Sequence, residues 1–327
     1  MSTAVLRVKR ALTLAQLDAP AALERITGAA NEVWYAGDYV VRISSHPGTR
    51  RLEHEATVAK LLPEGARYPG VLSYGRAEFG EWLVMRRVPG TVLARAWATM
   101  REGERRDAVY QLAGALREVH QIKVGADNEP LDRPPFLEPD SLECPHQLPL
   151  SRLLRVIERA RTLPYVDKGV LDQAERLARI NAASLNGPPP ENLVHGDLHF
   201  ENVLYEGGQI TALLDFEFAR AGPPDLDLEI ILRFCADPQL HVSADYAPSV
   251  NRDDYRSVLR WIHEAYPELF EHPALESRLN LYSLSYDLRD LVVDPPRKPF
   301  DQLPPFHAYR RLRRLLDGRG MLQLIEW

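Results

Sequence analysis

The sequence predicts an α+β chain, with a small N-terminal antiparallel sheet and one main helix followed by a larger, mostly helical part. Three observations predict it. Runs rich in β-branched and aromatic residues, punctuated by turn dipeptides, concentrate before Met85. Beyond Gly90 apolar residues recur at helical spacing instead. One later stretch, Leu193 to Glu217 (LVHGDLHFENVLYEGGQITALLDFE), returns to short strands and sets Asp197, Asn202 and Asp215 at fixed offsets between them.

Taken in order, Thr13 to Leu17 reads as helix and Ala22 to Thr27 as a strand, broken by Gly28-Ala29-Ala30-Asn31. Val33 to Ala36, Gly37-Asp38 and Tyr39 to Ile43 form strand, turn and strand. Between Lys9 and Lys60 there is no lysine, and Arg42 is the cation of the second strand of this hairpin. Thr49 to Leu62 is the main helix. Leu52, Val58, Ala59 and Leu62 line its apolar face, and Glu55, unlike Glu53, falls on that face. A carboxylate turned toward a core is costly unless paired. Val71 to Tyr74 and Trp82 to Met85 are the next strands.

The helical part opens with Val109, Leu112, Ala113, Leu116 and Val119 on one face ending near His120. Gly125 to Leu150 is proline-rich and without period, an irregular connection. Leu150 to Thr162, Leu171 to Ala183, a helix through Trp261, Leu279 to Val293 and Tyr309 to Leu316 complete the helices. On the fourth of these, Asp287, Asp290 and Asp294 share a face with Tyr282 and Tyr286, which reads as a solvated face or as a seat for a cationic ligand.

A net charge of −6 argues against a nucleic-acid partner held by bulk charge. No apolar run approaches the roughly 18 residues that a membrane span needs, and MSTAVLRVKR has no signal-peptide apolar core. A cytoplasmic protein with no membrane partner is expected. Cys144 and Cys235 have no metal-ligand or redox spacing.

In the later stretch, Glu206-Gly207-Gly208-Gln209 is a hairpin signal between Val203 to Tyr205 and Ile210 to Leu214. The hairpin would fold Asp215 back beside Asn202, making a hard-oxygen site of the kind magnesium prefers. Asp197, in the preceding loop, can accept a proton. A rival reading makes His195, Asp197 and His199 the ligands of a metallohydrolase.

His195, Gly196, Asp197, Asn202, Asp215, Phe216 and Glu217 match the pattern H-G-D-x-x-x-x-N followed by a strand pair and D-[FW]-[EG]. In this the chain resembles the aminoglycoside phosphotransferase and choline kinase family. The resemblance implies a bilobal protein-kinase-like fold, with a nucleotide-binding lobe at 1–87 and a catalytic and acceptor-binding lobe at 88–327. It implies a small-molecule kinase transferring the γ-phosphate of ATP or GTP to a hydroxyl of a small metabolite or antibiotic. Asp197 would be the catalytic base, and Asn202 and Asp215 would hold Mg2+. Arg42, ordered by Glu55, would meet the phosphates in place of the usual lysine, under a loop including Gly28 and Asn31. The main chain from Val84 to Val88, with Arg86, would form the hinge that reads the purine edge. Gly222-Pro223-Pro224-Asp225-Leu226-Asp227-Leu228 matches the family's segment ending in Asp-Leu, with Asp227 as brace or cap and Asp225 as a turn residue. Gly196 before Asp197 and the absence of A-P-E argue against a phosphorylation-switched protein kinase. A nucleotide-binding sensor on the same fold is the remaining alternative.

Overall fold

The computed structural model describes residues 3–26, 31–44, 46, 48–125, 131–138, 141–146, 148–187 and 190–321. Its N-terminal sheet consists of β1 (Glu24–Ile26), β2 (Asn31–Ala36), β3 (Tyr39–Ser44), β4 (Val71–Ala77) and β5 (Gly80–Arg86). Spatial order is β1-β2-β3-β5-β4, every neighbouring pair antiparallel. The turn expected at Gly37-Asp38 joins β2 to β3, with Gly37 at a φ of 63° that glycine adopts without strain.

The run Trp82-Leu83-Val84-Met85 has no polar alternation because helices cover both faces of β5. Trp82 and Val84 pack with Val8, Ala11 and Leu12 of α1 (Thr3–Leu14), and Leu83 and Met85 pack with Leu52 and Ala56 of α2 (Arg51–Val58). Each valine, leucine or methionine among them contributes about 1.5–3 kcal/mol by its burial. The first helix therefore lies earlier than Thr13 to Leu17. It ends there, where Leu17 N–H bonds the Leu12 carbonyl and Gln16 adopts a φ of 59°. This is a helix stop usually marked by glycine, and its absence hid the end from sequence reading.

The larger lobe contains α3 (Leu93–Trp97), α4 (Glu102–Gln121), α5 (Leu150–Ala160), α6 (Lys168–Asn181), α7 (Asp225–Ala236), α8 (Val258–Ala265), α9 (Leu275–Val293) and α10 (Ala308–Leu316). Among them, β6 (Thr91–Val92), β8 (Val203–Glu206) and β9 (Gln209–Leu213) make a small sheet, and β7 (Leu193–Val194) pairs with β10 (Arg220–Ala221). The apolar face of α4 packs on Leu193, Leu198, Phe200, Leu228 and Ile231, so the core lies directly beneath the Leu193 to Glu217 stretch. A second core joins α5, α6, α9 and α10. No helix among the described residues is long and apolar enough to cross a membrane.

All twelve residues of α7 are buried, charged ones included. Asp225 is no simple turn residue: Arg278 forks both its oxygens and Tyr282 donates to it. Glu229 accepts from Arg233 (2.7 Å), Ser283 (3.0 Å) and His146 (3.1 Å). Burial pushes Glu229 up, but the Arg233 charge and the His146 bond outweigh it and hold the carboxyl at about 2, below its ordinary 4.5. A depressed folded value stabilises the protein above pH 4.5, and that contribution disappears as pH falls toward 2. Glu229→Gln should flatten the acid limb of urea-unfolding stability in that window and cost about 3 kcal/mol near neutrality. An unchanged acid limb would show that Glu229 does not carry it.

Candidate active site

The chain passes from β7 through His195 and Gly196 to Asp197. Gly196 has a φ of 81°, and a Cβ there would collide with the Phe218 carbonyl, so only glycine fits this crossing. Asp227, fully buried, accepts from the His195 and Gly196 N–H groups at 2.7 and 2.8 Å and from His120 Nε2 at 3.0 Å. Burial pushes Asp227 up, yet the hydrogen bonds to it hold it below the usual carboxylate range. As an anion it clamps the turn that delivers Asp197.

His195 spends both ring nitrogens on main chain: Nε2 donates to the Leu214 carbonyl (2.9 Å) and Nδ1 accepts from Asp197 N–H (3.3 Å). His199 lies parallel to Phe234, and burial lowers it to about 4. Its Nε2 is 3.8 Å from Asp197 Oδ2. The metallohydrolase reading fails here, because His195 has no lone pair left for a metal.

Asn202 closes a short turn, Phe200–Asn202, with its Nδ2 donating to the Asp197 carbonyl at 2.9 Å and its own carbonyl accepting Leu214 N–H at 2.8 Å. The β8–β9 hairpin thus returns Asp215 beside Asn202. Asp215 adopts φ 66°, ψ 59°, left-handed backbone that aspartate tolerates better than most residues.

Above this loop Arg42 reaches from β3 to three carboxylates: Glu55 at 2.6 and 2.8 Å, Asp215 at 2.7 Å and Glu217 at 3.5 Å. Glu53 turns instead to Arg50 and Arg76. Tyr68 donates to Glu55, Arg51 meets Glu217 at 2.7 Å, and Asn31 Nδ2 donates to Glu217 at 3.1 Å. Oxygens of Glu55, Asp215 and Glu217 all lie within 4.8 Å of one another, a hard donor set suited to a divalent cation. Burial pushes Glu55 up to about 7 against the pull of Arg42. Asp215 is held below its ordinary value: burial opposes this, but Arg42's charge and hydrogen bond prevail. Asp197 is pushed well up, by burial foremost and then by Asp215, Glu217 and Asp227. Its side chain keeps 38% of its surface exposed, so water moderates the shift.

Other expected site residues fall differently. Gly28 lies outside the described residues, and Asn31 is the first residue of β2, its amide tied to Glu217. Val84 sits mid-strand between Val41 of β3 and Ser73 of β4, its side chain in the core under α1. Sheet neighbours flank its main chain, so it cannot be part of a purine-reading edge. Arg87 N–H donates to the Asp38 carbonyl at 2.8 Å. Alternation along the strand therefore turns the main-chain groups of Arg86 and Val88 the other way. The Arg86 side chain is exposed. Sequence reading missed Arg51 and Tyr68 and left Glu217 unassigned. Arg51 stands one helical turn before Glu55, the one available signal. Asp287 and Asp290 are already paired: Arg233 and Arg311 hold the first, which is buried, Arg289 and Arg311 the second, which is partly exposed, and Asp294 is exposed.

The model of the phosphotransferase enzyme family matches residues 22–262, well over half of the chain. The chain belongs to that family. Solved structures agree on the fold of this phosphotransferase. Aminoglycoside phosphotransferase APH(4)-Ia is similar at a TM-score of 0.62 and 18% identity, covering 100% of both chains. APH(2'')-Ib bound to ADP gives 0.61 and 16%, covering 99% of each, and the streptomycin–ATP complex of APH(2'')-IIa gives 0.59 and 15%, covering 100% and 99%. No curated protein matches at a significant level.

Proposed function

We propose that this phosphotransferase is a cytoplasmic kinase that moves the γ-phosphoryl group of ATP or GTP to a hydroxyl of a small metabolite or antibiotic. The observation that carries this is the convergence of Asp197, Asn202 and Asp215 beneath the Arg42–Glu55 pair. In the reaction the acceptor oxygen bonds to the γ-phosphorus, the bond to the β-phosphate oxygen breaks, and the hydroxyl proton passes to Asp197 as the diphosphate leaves. The upward push on Asp197 suits a proton acceptor. Asn202 and Asp215 would hold magnesium, which supplies charge neutralisation on the phosphates. Arg42 adds a forked cation that Glu55 and Tyr68 keep in place. Residues 1–87 would carry the nucleotide, with the main chain of Arg86 to Val88 at the purine edge, and 88–327 the acceptor. Structural neighbours hold ADP, ATP or GDP, and kanamycin, streptomycin or hygromycin B.

A screen of hydroxylated acceptors with ATP and GTP tests the reading. Diphosphate release that needs both magnesium and acceptor is expected. Nucleotide binding without turnover on any acceptor would favour the sensor.

Arg42→Ala should raise the nucleotide KM and lower turnover, and Glu55→Gln should do so less. The double variant should lose less than the product of the single losses, since both changes break one contact. Arg42→Lys should rescue only partly, because lysine lacks the fork that spans Glu55 and Asp215. Strictly multiplicative losses would make the two residues independent.

A further inference from the structure

Near Asp197 stands a cation that forms no ion pair among the described residues. Arg220 opens β10 opposite Val194 of β7 and is partly buried. Its Nη1 donates to the Phe218 carbonyl at 2.8 Å. It lies so close over Gly196 that a Cβ on that residue would come within 2.5 Å of Nη1. A guanidinium has five donors, so most of its hydrogen-bonding capacity is left for solvent or ligand.

Three carboxylates of α7 and α9 are, by contrast, committed. Glu229 is paired with Arg233 and His146, Asp287 with Arg233 and Arg311, and Asp290 with Arg289 and Arg311. Tyr286 has the Arg233 guanidinium 3.9 Å from its ring centroid and Arg289 at 5.7 Å, so protein cations already use the ring that a cationic ligand would need. The His146 ring packs on Tyr286 at 5.7 Å between centroids. Arg220 in turn pulls Asp197 down and disfavours a charge on His146. Arg220, on β10, is the cation that faces Asp197 and is left without an ion pair among the described residues.

Resting on the kinase reading, we infer that the phosphate acceptor carries a carboxylate or phosphate group, which Arg220 binds while the acceptor hydroxyl faces Asp197. A polycationic acceptor would meet Arg220 with Glu229, Asp287 and Asp290 already paired to protein cations, and like charges brought together discriminate against a partner. An anion would satisfy the fork by charge-assisted hydrogen bonds. Arg220 is thus a specificity-determining residue rather than part of the phosphate-transfer machinery.

A charge-graded set of probes tests this: glucose, glucosamine, glucuronate, glucose 6-phosphate and kanamycin, each titrated into the protein loaded with magnesium and ADP or GDP. Glucuronate or glucose 6-phosphate should bind about tenfold or more tighter than glucose or glucosamine, and their ranking separates carboxylate from phosphate recognition. Arg220→Gln, which keeps a donor for the Phe218 carbonyl but removes the charge, should erase that advantage without changing nucleotide affinity. Arg220→Lys should keep part of it. Equal binding across the set, or preference for kanamycin or glucosamine, overturns the acceptor assignment and leaves the kinase reading standing. Failure of the magnesium nucleotide itself to bind overturns the kinase reading, and this inference falls with it.

Discussion

Asp197→Asn is expected to lower turnover about a hundredfold or more, the usual scale for losing a general base, while nucleotide affinity stays nearly unchanged. The substitution conserves shape. The Asp197 contact to Asn202 is made by its main-chain carbonyl, and its N–H donates to His195, so the loop geometry does not depend on the carboxylate. The clamp from Asp227 to the His195 and Gly196 N–H groups is likewise untouched. What disappears is a partly exposed carboxylate, pushed up by burial and by its acidic neighbours and so suited to take a proton. Steady-state turnover together with a nucleotide titration separates the two effects. Full turnover in the variant would remove Asp197 from the catalytic role, and a matching loss of nucleotide affinity would place it on the phosphates.

Asp215→Ala should abolish magnesium-dependent nucleotide binding, more severely than Asn202→Ala, because it removes a full charge where Asn202 offers only a neutral amide oxygen. The loss should exceed the about 10- to 100-fold that removal of an outer partner of a metal ligand costs. Alanine is strained in the left-handed backbone at this position, so Asp215→Asn serves as the fold-preserving companion and should lose most of the metal dependence too. Arg42 keeps Glu55 and Glu217 in either variant, and the lobe contact should survive. Melting curves with nucleotide, with and without magnesium, read this out. A magnesium-dependent shift retained in both variants would move the metal away from Asp215.

The catalytic stretch was legible because its information is local. Fixed offsets among Asp197, Asn202 and Asp215, and a Gly-Gly hairpin between them, force the three together whatever the rest of the chain does. The choice of Glu55 over Glu53 was legible for a related reason: helical period alone puts Glu55 on the buried face, where it needs a cation. The sheet-and-helix division followed from the change of apolar period near Gly90.

What sequence by itself determined, then, was the fold class, the order of the site's parts and the burial of Glu55, for which the family resemblance supplied Arg42 as partner. Only the tertiary structure decided which charges remain uncommitted. Asp287 reads as an open carboxylate on a helix face, yet Arg233 and Arg311, 54 and 24 residues away, neutralise it. Arg51 and Asn31 read as ordinary polar residues until the folded chain brings Glu217 to them across 166 and 186 residues. Val84 looked like hinge until the strand order enclosed it between β3 and β4. Periodicity reports which face a side chain takes on its own element. The ion partner it meets there comes from remote chain, and no local spacing encodes that.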